Sequence, residues 1–161
     1  MKRADTKQQA IALPPEVRPG QSVELLQELH ILTRDGKLNQ DSRRKLKQVY
    51  HLFQFIEPLL REVLQDHHGL TLVDHGAGKS YLGFILYDLF FKNLNDGSHI
   101  YGIETREELV QKSTELAQRL GFPGMSFLPL SVAESTTSNL LPDRIDIVTA
   151  LNACNTATDD A

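Results

Sequence analysis

Short apolar segments alternate with helical segments from Leu70 onward, and this alternation is the feature that most limits the possible folds. The predicted strands cover residues 70–74, 99–104, 125–130 and 145–151, and the predicted helices cover about 79–92 and 106–120. Strands that alternate with helices indicate a parallel sheet with helices on both faces. Right-handed crossovers place the carboxyl ends of all strands at one edge, where ligands bind. The sequence therefore predicts an α/β fold with its site at that edge.

The first 68 residues have a different pattern. Residues 1–20 are charged and then rich in proline, which is typical of a flexible tail. Residues 21–68 predict an N-terminal helical segment: one helix from Ser22 to about Thr33, and a longer stretch interrupted by Pro58. Proline predicts either a kink or two separate helices there. The predicted organisation is thus a tail (1–20), a helical segment (21–68) and a core (69–161).

The segment LVDHGAGKSYL, residues 72–82, connects the first predicted strand to its helix. Gly76 and Gly78 permit a tight turn and let the backbone approach a ligand closely. Asp74 ends the strand, so its carboxylate can accept hydrogen bonds from the loop or from the ammonium group of a ligand. This glycine turn is the most informative candidate for a functional site.

Two nucleotide-binding motifs fit the glycine turn poorly. A phosphate-binding P-loop ending in Gly78-Lys79-Ser80 would need glycine five positions before Gly78, where Val73 stands. A dinucleotide site would need glycine three positions after Gly78, where Tyr81 stands. An acidic-x-Gly-x-Gly turn, as in class I methyltransferases, matches the sequence. An ordinary strand-to-helix turn remains the simple alternative.

Glu104 is the second candidate, at the end of the second predicted strand and thirty residues after Asp74. A carboxylate there can accept hydrogen bonds from both ribose hydroxyls of an adenosine. Nicotinamide sites use a similar carboxylate, so Glu104 discriminates only together with the glycine turn. Its alternative interpretation is a solvated acid that caps the following helix.

Three stretches resemble class I methyltransferases of the Methyltransferase-32 type, whose members include bacterial proteins of unassigned substrate. Residues 43–60 (RRKLKQVYHLFQFIEPLL) look like the helix that precedes the core of that family. Residues 72–90 look like its cofactor loop, often D-x-G-x-G-K-[GS]-Y-L. Residues 145–161 (IDIVTALNACNTATDDA) look like its fourth strand and following loop, usually close to L-H-A-C-D-T-A-T-D.

The resemblance implies a Rossmann-like class I methyltransferase sheet and S-adenosyl-L-methionine as cofactor. It implies that Glu104 holds the ribose, that Ser131 and Val132 lie near the adenine, and that residues 151–155 face the transferred methyl group. The residues implied to line the rest of the cofactor pocket are Asp74, Gly76, Gly78, Lys79 and Tyr81.

Two departures from the family pattern fall on the predicted catalytic positions. Asn152 stands where the family has histidine, and Asn155 stands where it has aspartate. Each change removes an ionisable group and with it a general base. A neutral amine or a thiolate acceptor would tolerate the loss, because the cofactor is already activated. Two hypotheses follow: a methyltransferase or its cofactor-binding portion, and a catalytically degenerate module that acts as a binding or scaffold domain.

Only four strands are predicted, whereas a complete class I methyltransferase sheet has seven. In the usual order these four are contiguous as 3-2-1-4, which leaves the fourth strand at an edge. Exposed edges pair readily with other chains. We therefore expect either a truncated protein or self-association through the edge of the fourth strand.

The methyl acceptor is not specified by the sequence, although RNA is one candidate. The chain carries a net charge of −4, but basic residues cluster at Arg34, Lys37, Arg43, Arg44, Lys45 and Lys47. This basic cluster can contact RNA phosphates or form a solvated face. An Asn-Pro-Pro-Tyr-type loop is missing after the fourth strand, which argues against methylation of the adenine exocyclic amine.

The remaining features predict a cytoplasmic protein without a metal site or a membrane partner. The single cysteine, Cys154, excludes an internal disulfide, and residues 1–10 lack the apolar region of an export signal. The most apolar run, residues 81–91, is too short to span a bilayer. His67 and His68 are adjacent, and adjacent helical residues point about 100° apart, so they do not share a metal easily.

Overall fold

The computed structural model describes residues 12–94 and 96–150, and the chain divides into two compact units after Tyr50. This boundary falls inside the longest helix, whereas the sequence divisions at residues 20 and 68 stay predictions. The elements in chain order are α1 (Val23–Glu28), α2 (Gln40–Asp66), β1 (Thr71–His75), α3 (Tyr81–Leu89), a 3-10 turn (Phe91–Asn93), β2 (His99–Ile103), α4 (Glu107–Leu120), β3 (Met125–Leu128), α5 (Val132–Ser135) and β4 (Ile147–Thr149).

In the first unit, α1 begins as predicted but ends earlier than the predicted Thr33. The Ser22 hydroxyl accepts a hydrogen bond from the Leu25 N–H at 3.1 Å, which caps the helix. His30 then adopts a positive φ of 57°, and the Ile31 N–H donates to the Leu26 carbonyl at 2.8 Å. A residue in this left-handed conformation cannot continue an α-helix, so the helix stops before it.

The basic cluster lies in the same unit, with all six side chains on exposed residues. Arg43 is paired with Glu16 at 2.8 Å, and the guanidinium of Arg18 lies 4.3 Å from the ring centre of Tyr50. The RNA partner stays a prediction.

Helix α2 passes through Pro58 as one helix, so the two-helix alternative is wrong. Proline removes one backbone hydrogen bond from a helix interior. Around Pro58, however, Phe53, Ile56 and Leu60 are 5%, 6% and 0% exposed, and the rings of Phe53 and Phe90 lie 6.4 Å apart. Burial of this apolar stripe offsets the missing bond, because packing supplies most of the stability of protein helices.

The second unit contains a four-stranded parallel sheet in the order β3-β2-β1-β4, as the sequence predicted. The central strand β1 is fully buried at Leu72 and Val73. Its carboxyl end matters for the site, because Asp74 lies in register with Gly102 of β2 and with Thr149 of β4. Strand β4 is shorter than the predicted 145–151, since pairing with β1 begins only at Ile147.

Helix α3 packs on the sheet face that carries Asp74. Gly83 of α3 comes so close to this face that an added Cβ would lie 3.6 Å from Met125 and 3.7 Å from Ile100. On the opposite face, Val73 and Ile103 form a smaller core with Leu141. In the described part of the chain, no helix is long and apolar enough to cross a membrane.

Candidate functional site

The glycine turn between β1 and α3 has an unusual backbone in which every second residue is left-handed. Gly76, Gly78 and Ser80 have φ values of 61°, 58° and 63°. Glycine adopts this conformation at no steric cost, which explains the first two positions. The Ala77 N–H donates to the Ile103 carbonyl at 2.9 Å and ties the turn to β2. Because the turn continues through Ser80, α3 begins at Tyr81 and not at the predicted Lys79.

Ser80 is not glycine, and its side chain is held in place by a second serine. Its hydroxyl lies 3.3 Å from that of Ser113 on α4, and both residues are buried. This contact connects the end of the turn to the helix that follows β2. A non-glycine residue in the left-handed region is strained, and such strain persists only where the surroundings fix the conformation.

Glu104 follows β2 and faces the glycine turn. Its Oε1 accepts a hydrogen bond from the Gly78 N–H at 3.1 Å, and the residue is only 6% exposed. The Arg106 guanidinium donates to the same oxygen at 2.8 Å. This side-chain hydrogen bond from Arg106 is the largest of several effects that lower the pKa of Glu104 to about 2. Glu104 is therefore a charged, buried acceptor and not a solvated acid.

Asp74 is the second buried carboxylate, with 1% exposure at the end of β1. Its Oδ1 accepts a hydrogen bond from the Thr149 hydroxyl at 2.9 Å, while Oδ2 is buried and has no hydrogen-bond partner among the described residues. Burial raises the pKa of Asp74 to about 7, although the Thr149 hydrogen bond opposes this shift. Oδ2 lies 4.0 Å from the Cβ position built on Gly83, which places it beside the first turn of α3.

The other predicted cofactor residues occupy more open positions. Lys79 is exposed in the turn, and Tyr81 is half-buried at the start of α3. Ser131 accepts a hydrogen bond from the Glu134 N–H at 3.0 Å and begins α5, where Val132 is 52% exposed. Their predicted roles near the cofactor stay predictions.

The predicted catalytic residues Asn152 and Asn155 lie outside the described residues. The acceptor side of the site, and with it residues 151–155, therefore stays a prediction.

Three residues of this region were not predicted from the sequence. Thr149 binds Asp74, Arg106 binds Glu104, and the Nδ1 atom of His75 is buried without a hydrogen-bond partner among the described residues. Burial lowers the pKa of His75. The sequence signals for Thr149 and Arg106 were weak, because Thr149 is only a threonine in an apolar strand and Arg106 only an arginine two residues after Glu104.

The helix α5 was also missed, although its capping box was visible in the sequence. Ser131 and Glu134 have the spacing of that motif, and the Ser131 N–H donates back to the Glu134 carboxylate at 3.1 Å. In the parts of the chain that the structure describes, no group of three or more His, Cys, Asp or Glu residues could hold a metal ion.

The parallel sheet, the glycine turn after β1 and the buried carboxylate after β2 define a Rossmann-like domain. The chain belongs to the methyltransferase-domain family of the Methyltransferase-32 type, which matches residues 44–161. This match confirms the resemblance to that family found in the sequence.

Several solved structures are similar to this chain at low identity. Magnesium protoporphyrin IX methyltransferase from Synechocystis, solved with bound SAH, is 20% identical, with a TM-score of 0.45 over 81% of this chain and 53% of that chain. An Aquifex aeolicus SAM-dependent methyltransferase is 21% identical, with a TM-score of 0.39 over 65% and 55%. The YcgJ protein of Bacillus subtilis is 18% identical, with a TM-score of 0.39 over 58% and 37%.

This chain thus covers 37% to 55% of the length of these three proteins. None of the curated proteins compared with the sequence gives a significant match. The assignment to the family depends on the sequence match over residues 44–161.

Proposed function

We propose that this domain binds S-adenosyl-L-methionine at the glycine turn and serves a methyl transfer reaction. The observation that carries the proposal is the buried Oδ2 of Asp74, which lacks a donor among the described residues at the carboxyl end of the central strand. A buried acceptor without a donor is costly, and a ligand that supplies a donor removes that cost. The family supplies the ligand class, since the family match over residues 44–161 is to a methyltransferase domain.

Asp74 suits the ammonium group at the methionine end of the cofactor. With a pKa of about 7, the unliganded carboxyl is close to half-protonated at neutral pH. A cation brought to Oδ2 favours the ionised form, because an opposite charge nearby lowers the pKa of a carboxyl. Thr149 keeps the other oxygen oriented through its hydroxyl.

Glu104 suits the ribose. Its low pKa keeps it ionised at neutral pH, and an ionised carboxylate accepts hydrogen bonds with both oxygens. The hydrogen bond from Gly78 fixes Glu104 to the turn, so the two proposed contacts, ribose and methionine, are held by one connected structure.

The cofactor, when bound, supplies a methyl group that its sulfonium has already activated. The chain would then position the cofactor, by holding its methionine end at Asp74 and its ribose at Glu104 while the acceptor approaches in line. Asn152 and Asn155 would border the acceptor without acting as bases. The acceptor itself is proposed only as a nucleophile that needs no deprotonation by these residues.

A binding module without turnover is the second candidate. It is favoured by one specific observation: two ionisable residues of the family motif, a histidine and an aspartate, are replaced by Asn152 and Asn155 in this chain. Such a module would keep the fold and the turn and act through a partner. Methyl transfer and cofactor binding are therefore to be measured separately.

Titration calorimetry with S-adenosylhomocysteine tests the proposed cofactor site. We expect Glu104→Gln and Asp74→Ala to weaken binding about tenfold or more, because hydrogen bonds to charged groups contribute roughly 1.5–3 kcal/mol. Glu115→Gln, which changes an exposed carboxylate on α4, is the matched control and should bind like the wild type. A folded wild-type protein that does not bind the ligand would contradict the proposal.

A further inference from the structure

We propose that the Arg106 side chain occupies the ribose-binding carboxylate of the unliganded protein and must leave when the cofactor binds. Arg106 would thereby lower the affinity of the site for its own cofactor. This inference rests on the proposed function, because it assigns Glu104 to the ribose.

Glu104 already accepts hydrogen bonds at both of its carboxylate oxygens. Its Oε1 receives the Gly78 N–H at 3.1 Å and the Arg106 Nη2 at 2.8 Å. Its Oε2 receives the Arg106 N–H at 3.1 Å and the Thr105 hydroxyl at 3.4 Å. Each carboxylate oxygen has two lone pairs, so all four acceptor positions are in use. Two ribose hydroxyls cannot be added unless existing donors leave.

The four donors differ in how easily they can leave. The N–H groups of Gly78 and Arg106 are backbone, fixed by the glycine turn and by the start of α4. The Thr105 hydroxyl makes a long and therefore weak contact. The Arg106 side chain is 59% exposed, whereas that of Glu104 is 8% exposed. The guanidinium can therefore rotate into water while the carboxylate stays in place.

The cost of moving Arg106 is small for the same reason. Ion pairs with one well-solvated partner contribute little, because water and salt screen the charge that is exposed. The departing guanidinium frees a strong acceptor position on Oε1, the oxygen that also holds Gly78. A ribose hydroxyl at this position would donate a hydrogen bond to a carboxylate that the glycine turn already orients.

Calorimetry with S-adenosylhomocysteine, applied to Arg106→Ala and the wild type, tests this proposal. We expect the variant to bind about two- to fivefold more tightly, which corresponds to the strength of an ion pair whose cation is exposed to solvent. Lys112→Ala is the matched control, since it removes one exposed positive charge from the same helix α4. This control should bind like the wild type. A purely structural role for Arg106 would weaken binding and not strengthen it.

A second measurement detects the contact without any ligand. In the unliganded Arg106→Ala protein, the pKa of Glu104 measured by NMR should rise from about 2 toward its ordinary value of 4.5. An unchanged pKa would overturn the proposed contact.

The outcomes of the two proposals are distinguishable. If the wild type binds S-adenosylhomocysteine and Arg106→Ala binds no tighter, the Arg106 proposal is wrong and the cofactor site stands. If neither protein binds while both are folded, the proposed function is wrong, and the Arg106 proposal is overturned with it.

Discussion

Asp74 and Glu104 lie at the carboxyl ends of neighbouring strands, yet their surroundings move their pKa values in opposite directions. Burial raises the pKa of Asp74 to about 7, because a single hydrogen bond from Thr149 does not replace the lost water. The pKa of Glu104 falls to about 2, because Arg106 and the Gly78 N–H donate to it. Asp74 can thus receive a cation, whereas both carboxylate oxygens of Glu104 already accept hydrogen bonds.

The raised pKa of Asp74 predicts a stability that depends on pH. The ordinary pKa of an aspartate is 3.8 and that of Asp74 in the folded protein is about 7, so the folded state binds the proton more tightly. The free energy of unfolding should therefore fall as pH rises between these values, by about 4 kcal/mol in total. Asp74→Asn cannot titrate and should lack this fall. Urea denaturation of both proteins from about pH 4 to about pH 8 measures the difference.

Only the difference between the two proteins is informative, because other groups titrate in both. Glu104 has the opposite sign: its contribution is present above its ordinary pKa of 4.5 and is lost as pH falls through about 2. Parallel pH profiles for wild type and Asp74→Asn would show that Asp74 is ionised in the folded protein at neutral pH.

At the scale of elements, close packing beneath the glycine turn depends on Gly102 of β2, which the sequence analysis did not single out. A Cβ built on Gly102 of β2 would lie 2.6 Å from the Phe127 ring of β3 and 3.5 Å from Ala77 in the turn. Phe127 in turn stacks on Phe84 of α3, with ring centres 5.5 Å apart. Gly102 thus lets an aromatic ring fill the space between the sheet and α3.

Substitution by alanine is expected to change the free energy of unfolding in opposite directions at Gly102 and at Gly83, which lie on the same side of the sheet. Gly102→Ala should destabilise the protein by about 1–3 kcal/mol, because the Phe127 ring must move within a packed core. Gly83→Ala should stabilise it by roughly 0.5–1 kcal/mol, because alanine favours a helix and its Cβ would make only ordinary contacts of 3.6 Å or more.

Thermal or urea denaturation of both variants measures these changes against the wild type. Gly83→Ala serves as the control for Gly102→Ala, since both add one methyl group to the same layer of the core. A neutral Gly102→Ala would mean that the Phe127 ring has room to rotate away.

At the scale of the whole molecule, one face of the sheet is buried at β1 but exposed at β4 within the described residues. Val148 of β4 lies in register with Val73 of β1, and parallel neighbours in register point to the same face. Val73 is fully buried, whereas Val148 is 58% exposed and Leu140 is 60% exposed. Among the described residues β4 pairs with β1 alone, and apolar surface beside such a strand edge favours association with another chain.

We propose that copies of this chain associate through β4, and substitution of Val148 tests it. Val148→Lys should reduce concentration-dependent association in sedimentation velocity, because a buried lysine charge disfavours the contact. Phe55→Lys is the matched control, since Phe55 is 66% exposed on α2 and should leave association unchanged. A wild-type protein that stays monomeric at all concentrations would refute association.

The sequence determined the four strands, the helices α3 and α4 and the positions of the glycine turn and Asp74, because hydrophobic period, glycine and strand ends are local signals. The strand order 3-2-1-4 followed from the resemblance to the family. The sequence could also identify the family, whose motifs are contiguous along the chain. Helix ends were predicted less well: α1 stopped early at a left-handed His30, and α2 continued through Pro58.

Only the tertiary structure determined which charged groups and hydrogen-bond donors contact each other. Asp74 and Thr149 are 75 residues apart in sequence, and Gly78 and Glu104 are 26 apart, so strand pairing and register bring them together. Packing likewise determined the surroundings of the two buried carboxyls: burial raises the pKa of Asp74 to about 7, whereas the donors around Glu104, the Arg106 side chain first among them, lower its pKa to about 2. The local sequence around a carboxyl does not predict which hydrogen-bond donors lie on a neighbouring strand, because those contacts exist only once the sheet has formed.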